Sequence, residues 1–154
     1  MQVKSLLWPM LGHTYASQNC SAARALELVG ERWSLLILRD SLFRGIKTFG
    51  DFQKSLGIAT NILTTRLETF VANGLLVFDA KDGSYHPSQK ALEFKPVIMA
   101  LTHWGDKWSL AGLGPIEFRH DDCAGKIKLQ SRCDLCGDEI ENSKIKARAR
   151  VANS

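Results

Sequence analysis

Apolar residues recur at helical spacing in five stretches of the chain, and in one further stretch a short continuous apolar run bounded by turn residues reads as a strand. Ala22, Ala25, Leu26 and Val29 mark a first helix over 21–29, stopped by Gly30. Trp33, Leu36 and Ile37 form a stripe that Leu35 and Leu38 widen, so the stretch from Glu31 to Phe43 reads as a nearly buried helix ending at Arg44-Gly45. Phe49, Phe52 and Leu56 stand at i, i+3 and i+7 in a short third helix, with Thr48 as its cap and Asp51 in the capping-box position. Gly57 breaks that pattern. A fourth helix follows from about Thr60 to Asn73, with Leu63, Leu67, Phe70 and Val71 on one face. At 100° per residue its other face carries Asn61, Thr65, Glu68, Thr69 and Ala72, flanked by Thr64 and Arg66. Leu75 to Phe78 then reads as a strand, Asp79 to Gly83 as a turn, and Ser84 to His86 as a return strand closed by Pro87.

The last helical pattern, over 89–110, is the longest. Phe94, Val97, Ile98, Leu101, Trp104 and Trp108 lie at i, i+3, i+4, i+7, i+10 and i+14. Pro96 either kinks this helix or sits in the first turn of its main segment. Residues 1–19 show no period and read as an arm, whereas 113–154 hold a cysteine-rich stretch and a basic tail; no internal repeat is visible. The expected organisation is therefore an arm over 1–19, one helical unit with a hairpin over 20–112, and a Cys/His extension over 113–154. The fold class is mainly α with a small β-hairpin (α+β), with its elements in the order of a winged helix-turn-helix.

A short helix, a glycine turn, a longer helix with a polar outer face, and then a hairpin suit duplex DNA. A helix fits the major groove, and its first turns meet the base edges. Thr60, Asn61, Thr64 and Thr65 are short and able to hydrogen-bond; Asn can read adenine bidentately, and Thr can donate to phosphate or touch a thymine methyl. Lys54 and Arg66 are candidates for phosphate, and Lys81 for a wing contact. The competing reading of these residues is a merely solvated helix face.

Composition adds little to this. The 154 residues are 45% hydrophobic and 23% charged, average for a globular chain, and the net charge of +4 is mild for a DNA binder. The N-terminal residues lack the apolar core of a secretory signal, and no run approaches the ~20 apolar residues of a membrane span. A cytoplasmic protein with reduced cysteines is the expectation. No phosphate loop, dinucleotide fingerprint, Gly-x-Ser-x-Gly or His-Glu-x-x-His motif is present, and His13, His86 and His103 are scattered, so no enzyme is expected.

Cys20 to Arg39 and Phe49 to Leu67 together resemble the HxlR family of winged-helix transcriptional regulators, the similarity running over roughly residues 20–108. The Cys…Leu-x-x-Gly-x-x-Trp and Ile-x-x-x-x-Leu-x-x-Arg-Leu patterns carry it. The resemblance implies a cytoplasmic bacterial regulator, a homodimer on double-stranded DNA with a partly palindromic operator. It also implies a dimer interface built by the N-terminal helix and the helix around 96–108. The family's usual Tyr-x-Leu-Thr-x-Lys-Gly after the hairpin stands here as Tyr85-His-Pro-Ser-Gln-Lys-Ala91, so the wing departs most from the pattern. The function expected is a sequence-specific regulator, read as a repressor; the alternative is a winged-helix protein-interaction module that binds no DNA.

The stripe Phe94, Val97, Ile98, Leu101, Trp104 and Trp108 is richer in large side chains than a winged helix can easily cover, which favours a dimer interface over packing within one chain and makes 20–112 the expected DNA-binding and dimerisation domain. Cysteines raise two further questions. Cys20 precedes a helix, whose N-terminal dipole favours the thiolate, with Arg24 one turn on. Some members of the resembled family sense oxidants or electrophiles with a cysteine here; the other reading is a small buried hydrophobe. His120-x-x-Cys123 and Cys133-x-x-Cys136 have the ligand spacing of zinc knuckles and would make a closed, structural Zn site, so that the extension reads as a C-terminal zinc-ribbon-like appendage. A redox pair at Cys133 and Cys136, or cysteines that bind nothing, are the alternatives.

Overall fold

The computed structural model describes Tyr15, residues 20–112 and residues 114–148. The arm expected over 1–19 lies outside the described residues apart from Tyr15. Helix α1 spans Ser21–Val29, α2 Arg32–Phe43, α3 Phe49–Leu56 and α4 Thr60–Ala72. Strands β1 (Leu76–Asp79) and β2 (Ser84–Pro87) follow, then α5 (Gln89–Leu92) and α6 (Lys95–Ser109). The described residues fall into two compact units that divide between Ile98 and Met99, inside α6.

The first unit is the expected helix-turn-helix with a hairpin. Helix α2 runs through its centre and is adjacent to α1, α3, α4, α5 and β2. Its Ile37, Leu38 and Leu42 join Phe52 of α3 and Leu63, Leu67 and Phe70 of α4 in one apolar core. The Glu31 carboxylate caps α2 by accepting the Trp33 N–H at 3.0 Å. At α3 the Thr48 hydroxyl oxygen accepts from the Asp51 N–H at 3.2 Å, as the capping box expects. The second half of that box differs: the Asp51 carboxylate accepts from the Thr48 hydroxyl at 2.7 Å, because Asp is one methylene short of a glutamate's reach.

Gly57 ends α3 with φ +61°, and its N–H donates to Gln53 O. A Cβ added there would meet nothing within 4 Å, so the glycine answers a backbone requirement alone. Left-handed geometry costs any other L-residue about 1–2 kcal/mol. The turn that aims α4 is thus set locally.

In the hairpin, Val77 pairs with His86 and Phe78 with Tyr85, antiparallel. The Tyr85 N–H also donates to Lys47 O at 2.7 Å, which fastens the wing to the segment entering α3. Val71 departs from the expected pattern: it is exposed, on the side of α4 that lines a shallow apolar groove with Phe78 and Tyr85. The pattern expected over 89–110 is two helices, with Ser88 capping α5 through the Ala91 N–H. Of the two roles open to Pro96, the structure shows the second, a place in the first turn of α6, where no intrahelical donor is lost.

In the second unit, α6 continues to Ser109. Beyond it stand two short loops closed by single antiparallel bridges, Arg119 with Lys126 and Arg132 with Glu139. A single 3-10 turn, Asn142–Lys144, follows. Among the described residues no helix is long and apolar enough to cross a membrane.

Candidate nucleic-acid interface

Helix α4 buries Leu63, Leu67 and Phe70 and turns Thr60, Asn61, Thr64, Thr65 and Glu68 to solvent. Its register is held from below. Asp40 of α2 is fully buried and gathers donors from three side chains, Arg39, Arg44 and Ser55. Arg39 Nε and Nη2 reach its Oδ1 at 2.8 and 2.7 Å, and the Ser55 hydroxyl of α3 donates to its Oδ2 at 2.6 Å. Arg44 Nη1 donates to Ser55 Oγ at 2.6 Å and lies 3.4 Å from both carboxylate oxygens. One buried carboxylate thus ties the end of α2 to α3. The sequence signal for it is an acidic residue flanked by Arg39 and Arg44 in an otherwise apolar helix. A second tie, Gln53 Nε2 to Thr60 Oγ1 at 2.9 Å, joins α3 to the first residue of α4.

The four short polar residues of α4 come together on one exposed surface, but their chemistry differs residue by residue. Thr64 Oγ1 donates to Thr60 O at 2.9 Å and Thr65 Oγ1 to Asn61 O at 3.0 Å. Both hydroxyl protons are therefore committed to the helix, and what these threonines turn outward is a methyl group and oxygen lone pairs. The Asn61 amide is engaged by no side-chain hydrogen bond among the described residues and keeps both its donors and its acceptor.

Of the basic residues, Lys54 is exposed in the last turn of α3. Arg66 turns back: its Nε lies 3.5 Å from Glu31 Oε2 and is shielded from solvent without a hydrogen bond of good geometry. It links α4 to the head of α2 and does not project with Asn61. Lys81 is exposed at the wing tip, where Asp79 Oδ1 accepts its backbone N–H at 2.9 Å. Asp82 flanks it, its carboxyl held below the ordinary aspartate range by the Ser84 hydroxyl and then the Ser84 N–H. Two carboxylates beside one lysine leave the wing tip weakly suited to phosphate.

The stripe expected on the last helix divides. Ile98 is buried and Phe94 packs against the core of the first unit, whereas Val97, Leu101, Trp104 and Trp108 are exposed, Trp104 at 62% and Trp108 at 66%. Cys20 is exposed at the N-cap of α1 with no side-chain cap bond, and its carbonyl accepts the Arg24 N–H. Arg24 pairs with Glu27 at 3.3 Å.

The remaining ligand candidates stand as two pairs. His120 Nδ1 lies 3.2 Å from Cys123 Sγ. Backbone N–H groups of Cys136 and then Leu135, followed by the Cys136 side chain, hydrogen-bond to the Cys133 sulfur and lower its pKa. Among the described residues no three His, Cys, Asp or Glu side chains converge on one point, so His120, Cys123, Cys133 and Cys136 are not gathered into one site.

Comparison with known proteins extends this picture. The model of the HxlR-like helix-turn-helix family matches residues 28–112. Rv3095 of Mycobacterium tuberculosis, an uncharacterised HTH-type transcriptional regulator, is 36% identical over 136 residues, 84% of each chain. The crystal structure of PA1607, a candidate transcription factor, superposes with a TM-score of 0.75 at 32% identity, covering 86% of this chain and 96% of that one. PA1374 from Pseudomonas aeruginosa, a second candidate transcription factor, does so with a TM-score of 0.61 at 32% identity, over 88% and 95%. Cys20 and the two ligand pairs fall outside the stretch matched by the family model.

Proposed function

The chain belongs to the HxlR-like helix-turn-helix family of transcriptional regulators, and on that premise we propose that it is a sequence-specific repressor acting as a homodimer on a partly palindromic operator. The observation that carries the reading is the outer face of α4. Its first two turns expose Thr60, Asn61, Thr64 and Thr65, while its other face is locked into the core. Asn61 is the base reader, since its free amide can meet adenine N6 and N7 together. Thr64 and Thr65, with their protons committed, are suited to thymine methyls. Lys54 serves the phosphate backbone.

A second copy is the partner that the exposed Leu101, Trp104 and Trp108 favour, because a monomer seldom leaves such side chains in water. A two-fold dimer would set two α4 helices about 34 Å apart, one turn of DNA.

The test is a gel shift and footprint on the DNA upstream of the chain's own gene, across a salt series. Affinity that falls steeply with salt is expected; absent or salt-independent binding would assign the fold to protein interaction instead. On the footprinted site, Asn61→Ala should lose about 1–3 kcal/mol of discrimination, roughly 5- to 150-fold, with little change on random DNA. Equal losses on both would remove Asn61 from base reading.

Regulation through Cys20 belongs to the same reading, supported by a thiol that is exposed at a helix N-terminus rather than buried. A benzoquinone, adding to the Cys20 thiolate, is expected to release wild-type protein from DNA and to leave Cys20→Ser bound. Equal release of both proteins would rule this role out.

A further inference from the structure

The two loops beyond α6 have the same backbone, thirteen residues apart. In the first, His120 N–H donates to Gly125 O, Ala124 N–H to His120 O, and Ile127 N–H to Phe118 O. In the second, Cys133 N–H donates to Asp138 O, Gly137 N–H to Cys133 O, and Ile140 N–H to Ser131 O. The bridges correspond as well, Arg119–Lys126 and Arg132–Glu139. So do the left-handed residues, Ala124 at φ +55° and Gly137 at φ +74°. A left-handed alanine is costly, and its presence where the twin loop has glycine shows that the loop geometry overrides the residue.

In each loop this turn brings the first and fourth residues of the motif face to face, and both are metal-ligand types: His120 with Cys123, and Cys133 with Cys136. The imidazole is already oriented for ligation. With Nδ1 toward the Cys123 sulfur, its Nε2 lies 3.3 Å from Asp122 Oδ2, the carboxylate–histidine arrangement that fixes ligand tautomer in zinc sites. Gly125 is the residue that leaves room beside the sulfur, for a Cβ there would come within 3.3 Å of Cys123 Sγ.

The rest of the segment lacks an apolar reason to fold. Between Gly114 and Arg148, Phe118 is buried, while Ile127, Leu129 and Leu135 are exposed, Leu135 at 93%. Segments this short and this poor in core are held by disulfides or metals.

We propose that His120, Cys123, Cys133 and Cys136 close around one zinc ion, the two loops acting as preformed halves that the three-residue link Lys128–Gln130 allows to meet. Zinc is the metal because three thiolates and one imidazole in a tetrahedron suit it, and four protein ligands leave no open position, so the site is structural. Binding is a ligand exchange without redox change: water leaves the ion, three thiol protons pass to solvent, and neutral His120 donates through Nδ1. Asp122 is a positioning residue for His120.

The test uses the full chain, purified with reductant and without chelator. Elemental analysis should find one zinc per chain, and cobalt exchanged for it should show the visible bands and sulfur-to-metal charge transfer of a tetrahedral thiolate site. Cys133→Ser with Cys136→Ser should remove the metal while helical content from the first unit remains. Because that variant could unfold the second unit, His120→Cys gives an independent reading: zinc retained, with a cobalt spectrum shifted to four thiolates. Asp122→Ala should keep the site but weaken zinc affinity about 10- to 100-fold. Substoichiometric zinc, zinc retained in the double serine variant, or a cobalt spectrum unmoved by His120→Cys would each overturn the assignment.

Discussion

Leu101→Glu together with Trp104→Glu is expected to yield a monomer whose affinity for the full operator falls about 10²- to 10⁴-fold. Both side chains are exposed on α6, so their replacement removes nothing from the core of Ile37, Phe52, Leu63 and Phe70. Helical content and thermal midpoint should therefore stay close to wild type. The loss arises from linkage of sites: a dimer's second recognition helix binds at an effective concentration set by the first, and a monomer forfeits that advantage entirely. Glutamate is the right probe because two such charges facing their symmetry mates repel at the centre of the interface as well as leaving the apolar contact. Light scattering reads the assembly state, and gel shifts on full and half operators read the coupling. The outcome that would refute the dimer reading is wild-type affinity from a protein that scatters as a monomer. A variant that stays dimeric would place the interface away from Leu101 and Trp104.

The succession of helices was legible in the chain because each buries one face, and burial writes its period into the residues. Thr48 and Gly57 mark a cap and a turn for equally local reasons, whereas the Ser88 cap that starts the separate helix α5 was not read from the chain. What stayed hidden depends on partners distant in sequence. Arg66 sits on the flank of the polar face of α4, where it looks available for phosphate; only the approach of Glu31, thirty-five positions earlier, turns it inward. Thr64 and Thr65 read as donors until the helix claims their protons, a choice made by rotamer and not by residue type. The stripe on α6 looked continuous because spacing alone cannot separate Ile98, which the core takes, from Trp104 and Trp108, which it does not. The two loops after α6 do not read as a repeat for another reason. His120 answers to Cys133 and Ala124 to Gly137, so identity is lost at two of the positions that define the turn while the hydrogen bonds are kept.

Loss of the Asp40 carboxylate is expected to cost the first unit a large share of its stability. Removing its carboxylate in Asp40→Ala deletes hydrogen bonds from Arg39 and Ser55, and strands the Ser55 hydroxyl and the Arg44 guanidinium above the cavity. Hydrogen bonds to a charged group contribute about 1.5–3 kcal/mol each in favourable settings, and breaking a fully buried pair costs about 3–5 kcal/mol. Here the arginine side chains are 38% and 54% exposed and can turn to water, which discounts the upper figure. About 2–3 kcal/mol is the expected loss, a large part of the roughly 5–15 kcal/mol that holds a domain folded. It should appear as a lower denaturation midpoint at unchanged slope. Asp40→Asn keeps the shape and one acceptor and should lose about half as much, whereas Ser55→Ala, which leaves both arginines paired, should lose about 1 kcal/mol. DNA affinity separates this from ordinary destabilisation. The carboxylate fixes α3 to α2, and α3 aims α4 through Gly57 and the Gln53–Thr60 bond. Under conditions where Asp40→Asn is still fully folded, operator binding should already be weaker than wild type while random-DNA binding is unchanged. Full operator affinity in that folded variant would mean that Gly57 and Gln53 alone suffice to aim the recognition helix.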